Sequence, residues 1–275
     1  MNFLKMEGLG NDFLVTHEVS SGMVQTVARH ASRICDRRRG VGADGLIFVL
    51  PSRRADFRMR IINSDGSEAE MCGNGIRCFA LYVKLLQLTD LNHLVIETAA
   101  GEIITDTIDD CMVKVNMGSP AIDASRIPVA QNSGTVIMKE MSIGDKSFQV
   151  TAVSMGNPHA VIYSGELTDS LVHGYGKQIE SHPFFPKKTN VEFIKVLSQK
   201  EIEMRVWERG CGETQACGTG ACASVVSGII NKKHGNDITV HLPGGKLQIQ
   251  WSGNLSDPVF MTGPARKVFE GIIEI

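Results

Sequence analysis

No stretch of this 275-residue sequence approaches the roughly 20 consecutive apolar residues that a membrane-spanning helix needs. The opening, MNFLKMEGLGNDF, lacks an apolar core of signal-peptide length. Both absences argue against a membrane-embedded or exported protein, and a cytoplasmic location is expected. Charge of one sign is scarce as well. The net charge is −2 and the pI about 6.4, with neither an acidic tail nor a basic surplus, so nothing points to nucleic acid as a partner. The triplet Arg37, Arg38, Arg39 reads as solvated surface. No Cys-Xaa-Xaa-Cys pair occurs, and seven cysteines are an odd number, which argues against a disulfide framework. The spacings Cys72/Cys78 and Cys211/Cys217/Cys222 are six, six and five, so no metal site is expected. Cys35, Cys78, Cys111 and Cys222 sit in mixed sequence and are expected to be small core residues.

What the chain does have is enough apolar residue for a core, 43% against 21% charged, and an internal repeat. Shifted by 145, FRMRIINSDGSEAEMCGNG falls on IEMRVWERGCGETQACGTG. Met59 meets Met204, Arg60 meets Arg205, Glu68 meets Glu213, and Cys72-Gly73-Xaa-Gly75 meets Cys217-Gly218-Xaa-Gly220. With one-residue slips, Gly10-Asn11 matches Gly156-Asn157, and Gly101 matches Gly245. A period this long is one domain architecture used twice, not a solenoid. In each half, strand-like runs (FLVTHEV, GLIFVL, FRMRIIN; AVIYSGE, VEFIKVL, IEMRVWE) lead through a polar Gly-rich loop into one clear helix, and more strands follow. The expected class is α+β with two pseudo-symmetric domains, residues 1–117 plus 263–275 and residues 118–262.

The chemistry lies in the paired motifs. A helix N-terminus exposes unpaired N–H groups and a partial positive charge. Glycine lets an anion come close to that backbone. Each Cys-Gly-Xaa-Gly is therefore an anion cradle with a thiol on its rim, and the helix end is expected to lower the thiol's pKa from about 8.5. Two such thiols on one site would invert a stereocentre, one removing a proton and the other delivering one, while the cradled carboxylate takes up the carbanion's charge. Glu208 precedes Cys217 by nine residues, as Asn63 precedes Cys72. The run from Gly40 to Gly45 matches G-x-G-x-x-G, but CDRRR precedes it and LIFVL follows, the reverse of a dinucleotide-binding order.

MCGNGIRCFA, ERGCGETQACGTGACAS, KMEGLGNDFLV and MGNPHAVI together resemble the diaminopimelate epimerase family. The resemblance covers essentially the whole chain. It implies two similar domains, each a mixed strand barrel around a central helix, and interconversion of LL- and meso-2,6-diaminopimelate in lysine and peptidoglycan biosynthesis without pyridoxal phosphate or any other cofactor. It further implies that Cys72 and Cys217 are the catalytic thiols, with Cys217 accepting and Cys72 donating the proton from LL to meso. Gly73, Asn74, Gly218 and Thr219 would cradle the reacting carboxylate, and Glu208 would bind the reacting ammonium. Asn11, Asn63, Asn157, Asn190 and Arg209 would hold the rest of the substrate. His159 and Glu208 would tune the thiols, and a homodimer is implied. Gly45 stands where some members have Gln. Cys211 has no counterpart in the family pattern and is expected to be structural. A proline or hydroxyproline racemase, a phenazine-type isomerase and a non-catalytic amino-acid binding module are the competing readings.

Overall fold

A computed structural model describes residues 1–274. The chain divides into two compact units, one of Met1–Asn116 with Thr262–Ile275 and one of Met117–Met261.

In the first unit, β1 (Asn2–Gly8) and β2 (Asn11–Thr16) form a hairpin. Its turn places Leu9 and Gly10 at φ 57° and 84°, which only a glycine adopts freely. Two short helices, α1 (Val24–Ala28) and α2 (Ala31–Ile34), follow. Next come β3 (Gly45–Leu50), β4 (Phe57–Asn63) and the two-residue β5 (Glu68–Ala69). Helix α3 (Gly73–Leu85) leads into β6 (His93–Thr98), β7 (Gly101–Thr107) and β8 (Met112–Asn116). β2 pairs with β3 and β4 with β6 in parallel, and the other ladders are antiparallel. Helix α3 packs against β1, β2, β3, β4, β7 and β8, so it is the centre of the strand layer. Ile76, Phe79, Ala80 and Val83, spaced for one helical face, are wholly buried. β3 is buried along its full length, which accounts for its unbroken apolar run: one face meets α3, and on the other Leu46, Phe48 and Leu50 join Val24, Val27 and Ile34 of α1 and α2 in a second core.

The second unit repeats the scheme. β9 (Lys139–Ile143), β10 (Lys146–Ser154) and β11 (Pro158–Tyr163) are antiparallel, and β11 runs parallel to β12 (Asn190–Val196). Helix α4 (Asp169–Glu180) lies between β11 and β12 in sequence. β13 (Glu201–Glu208) and the short β14 (Gly212–Glu213) precede α5 (Gly218–Ile230), then β15 (Asp237–Leu242) and β16 (Gly245–Gln250). Helix α5 packs against β10, β11, β12 and β16 and is buried nearly all round. β17 (Phe260–Pro264) and β18 (Arg266–Ile272) end the chain, and β18 pairs antiparallel with β1.

The repeat has a physical basis at its Arg and Glu positions. Arg60 grips Glu68 through Nε and Nη2, both at 2.7 Å. Arg205 grips Glu213 in the same fork at 2.7 and 2.9 Å. Each pair clamps the hairpin that leads to a Cys-Gly motif. The class is thus α+β with two similar units, as expected.

Several local expectations need correction. FLVTHEV is strand only to Thr16, and α4, β1, β9, β10 and β18 lay outside the sequence reading. Arg37 is not merely solvated: it forks Asp12 at 2.7 and 2.9 Å and bonds Asp44 at 2.8 Å, fastening the loop before β3 to β2. Gly42, at φ 82°, turns the chain directly into β3, so no helix follows the glycine motif. Cys111 is half-buried and Cys211 exposed, so neither is a core residue.

Candidate active site

Both cysteines of the repeat are helix N-cap residues. Cys72 has extended backbone at φ −141°, ψ 121°, and its sulfur accepts the Gly75 amide at 3.4 Å. Cys217 has φ −121°, ψ 110°, and its sulfur accepts the Gly220 amide at 3.4 Å. Sulfur here does what a Ser or Asp oxygen does in an ordinary cap. Each thiol is thereby fixed at the positive end of its helix.

Around Cys72 the surroundings are amides and a cation. The thiol points to Oδ1 of Asn11 at 3.6 Å, and Nδ2 of Asn74 reaches the same oxygen at 3.4 Å. Asn11 opens β2 just after the Gly10 turn. Beneath them Arg77 has no exposed surface. Its guanidinium donates to Gly73 O at 2.9 Å, Asn74 Oδ1 at 2.9 Å and Pro264 O at 3.1 Å. A buried charge with three such acceptors braces the cradle from below. Asn63, at the end of β4, is half-buried and donates to Ser67 Oγ at 3.0 Å.

The Cys217 environment is acidic instead. Glu208, at the end of β13, accepts from the Thr214 hydroxyl, and its charge bears on Cys217. Thr219 Oγ1 lies 3.6 Å from the sulfur and accepts from Asn157 Nδ2 at 3.2 Å. Asn157 Oδ1 meets His159 Nε2 at 2.9 Å. His159 Nδ1 meets Glu192 Oε1 at 2.7 Å, with both side chains wholly buried. Asn190 donates to Pro158 O at 2.9 Å and accepts the Arg209 amide at 2.9 Å, while the Arg209 side chain is exposed. The second unit thus gathers Cys217, Thr219, Asn157, His159 and Glu208 into one cluster.

Contrary to expectation, the Cys217 thiol is held well above its ordinary pKa. Burial is the main cause, followed by the charges of Glu208 and Glu192, and the Thr219 and Gly220 contacts only partly oppose them. A helix end supplies at most about 2 kcal/mol, or roughly 1.5 pKa units, and here it loses. Burial also raises Glu208, helped by Glu192. Cys78, inside α3, is pushed up to about 12 by burial and is inert packing. Arg77 and Glu192 were missed in the sequence. Their signal was a charged residue within an otherwise apolar helix or strand, which is costly unless paired. Gly45 lacks a side chain because a Cβ there would lie 2.7 Å from Ile62 O.

Among the described residues, no group of three or more His, Cys, Asp and Glu is placed to hold a metal ion. No helix among them is long and apolar enough to cross a membrane.

The sequence profile named diaminopimelate epimerase matches residues 3–122 and 151–268. A diaminopimelate epimerase from Carboxydothermus hydrogenoformans is 50% identical over 273 residues, covering 98% of each chain. One from Desulforudis audaxviator is 48% identical over 275 residues, again covering 98% of each. Among solved structures, a hydroxyproline epimerase from Agrobacterium vitis superposes with TM-score 0.69 at 15% identity, over 98% of this chain and 90% of that one. A phenazine biosynthesis protein from Bacillus anthracis gives 0.69 at 18% identity, over 100% and 99%. Those two likenesses speak to the fold. The profile match and the near-50% identity from end to end decide the family: the chain belongs to the diaminopimelate epimerase family.

Proposed function

We propose that the chain is an isomerase that interconverts LL- and meso-2,6-diaminopimelate, a step in lysine and peptidoglycan biosynthesis, using two cysteines and no cofactor. The observation that carries this reading is a cysteine serving as N-cap of a central helix twice over, within a chain of this family. From LL to meso, Cys217 takes the α-proton and Cys72 returns one to the opposite face. One C–H bond breaks and another forms, and the atoms balance. The N–H groups at Gly73-Asn74 and Gly218-Thr219 receive the reacting carboxylate, where the developing negative charge collects.

Glu208 receives the reacting ammonium. Its charge also helps hold Cys217 as a thiol. An arriving ammonium offsets that carboxylate, so substrate binding itself favours the thiolate. Asn11, Asn63, Asn157, Asn190 and Arg209 take the distal amino-acid end. Amides offer donor and acceptor without net charge, and a guanidinium grips a carboxylate at two points. A substrate without the second amino and carboxyl groups would forgo these contacts and be bound less well. His159 tunes the cluster from behind Asn157. We assign the functional halves to residues 1–117 with 263–275 and to residues 118–262.

Turnover of LL-diaminopimelate in deuterated water tests the reading. The product should carry deuterium at the inverted carbon, and L-proline should not be turned over. Racemisation of proline alone, or product without deuterium, would refute it. We also propose a cytoplasmic homodimer with no nucleic-acid partner. In support, Val268, Phe269 and Ile272 of β18 expose apolar surface. Light scattering on the purified protein should give twice 29.9 kDa.

A further inference from the structure

Glu192 lies in the middle of β12 with no exposed surface. A carboxylate in such a place is costly unless it is bonded. Its Oε1 is 2.7 Å from Nδ1 of His159, across the parallel pair of β11 and β12. Its Oε2 is buried with no hydrogen-bond partner among the described residues. An acid this expensive in a fully buried strand, bonded through one oxygen only, calls for an account beyond packing.

The neighbouring glycine supplies one. Gly220 sits in regular helix, so its backbone does not require glycine. A Cβ there would lie 2.8 Å from Glu192 Oε1 and 3.2 Å from Cys217 Sγ. The missing side chain is therefore the opening through which carboxylate and thiol approach one another. From Glu192 a chain of contacts leads back to the same sulfur. His159 Nε2 is 2.9 Å from Asn157 Oδ1, Asn157 donates to Thr219 at 3.2 Å, and Thr219 Oγ1 is 3.6 Å from Cys217 Sγ. A carboxylate only accepts, so the ring nitrogen facing it carries the proton. Asn157 Oδ1 is likewise an acceptor, so Nε2 also donates in this arrangement. The charged and titratable groups around Cys217 are then Glu208 from β13, Glu192 from β12 and His159 from β11.

We propose that Glu192 is a positioning residue for the epimerisation: by accepting Nδ1–H of His159 it orients the ring so that Nε2–H donates to Asn157 Oδ1, and so holds Asn157 and Thr219 in place beside Cys217. This assignment rests on the function proposed above. It makes Glu192 act through His159 and never touch substrate.

Two substitutions and one spectrum test it. Glu192→Gln keeps an accepting oxygen of the same reach but not the charge, and should retain several-fold more kcat/KM for LL-diaminopimelate than a variant without the acceptor. Glu192→Leu keeps bulk but loses the acceptor. Its kcat/KM should fall on the order of 10- to 100-fold, as for loss of a hydrogen bond to a charged group, with the larger share in KM because Asn157 loses its setting. A purely packing role would lower the urea midpoint of both variants and leave KM alone, which would overturn the proposal. Should Glu192→Leu fail to fold, the wild-type protein decides. Long-range proton–nitrogen spectra of the active wild type should show a proton on Nδ1 of His159, and a bare Nδ1 there would bring down the role of Glu192 alone. A wild-type chain with no turnover of LL-diaminopimelate would bring down the parent reading, and this one with it.

Discussion

Sulfur caps two helices in this chain, and the two caps live in opposite fields. Arg77 lies beneath the Cys72 cradle, whereas Glu208 and Glu192 face Cys217. Glu208 raises the Cys217 thiol, so removing its charge must favour the thiolate. In ligand-free protein carrying 13Cβ-labelled cysteine, Cys217 should give the thiol signal at pH 8. Glu208→Gln should move its titration midpoint down, and an upward or null movement would contradict the assignment. Asp12 gives a second residue-scale prediction. Although burial opposes ionisation, hydrogen bonds from Arg37 and Lys5 bring its pKa down to about 2. A depressed carboxylate stabilises the fold above its unfolded pKa of about 3.9 and loses that contribution as pH falls through 2. Asp12→Asn should cost roughly 2 kcal/mol at pH 7 and almost nothing at pH 2, read from urea midpoints at both. The thiols, their glycines and Glu208 were legible because the repeat set each against its counterpart. Glu192 and Arg77 were not, because at the repeat distance they answer to Ile47 and Cys222. Their pairing follows from the parallel register of β11 and β12 and from a side chain folding back on its own helix, neither of which spacing reveals.

At the scale of elements, the central helices were visible from apolar periodicity and the Cys-Gly start. Most strands came from their β-branched runs. Helix α4 was not, since only Leu171, Val172, Ile179 and a few others of its residues are buried, and its half-polar sequence reads as surface. β18 was invisible for a related reason: nearly all its residues are exposed, so it shows no buried alternation. Helix α5 yields a prediction in which two effects oppose each other. Replacing a mid-helix glycine by alanine usually gains about 1 kcal/mol. At Gly228 the new Cβ would lie 1.8 Å from the His234 ring, which is itself buried. Overpacking of this kind costs about 1–3 kcal/mol or more, so Gly228→Ala should lower the urea midpoint despite its better propensity. A stabilised variant would show that His234 gives way freely.

At the scale of the whole molecule, Cys72→Ala and Cys217→Ala should each be folded and each inactive. Cys72 is half-buried, and although Cys217 is buried and caps α5, alanine removes only its sulfur atom. Circular dichroism and turnover measured on the same samples check this. Normal epimerisation by either variant would remove the two-thiol mechanism and leave the family membership untouched. That two similar units are joined in one chain was legible from the 145-residue shift. The return of residues 263–275 to the first unit was part of the same expectation, but the strand they form there was not.

That closure makes the first unit depend on distant stretches of sequence. Met1 donates its amine to Ile273 O at 2.7 Å, and β1 borders β18 along its length. The unit of Met117–Met261 is drawn from one unbroken stretch, whereas the first unit needs residues from both sides of it. Without β18, one side of β1 would stand as an unpaired strand edge. Deleting Arg266–Ile272 should therefore cost solubility out of proportion to the sparse surface that β18 buries.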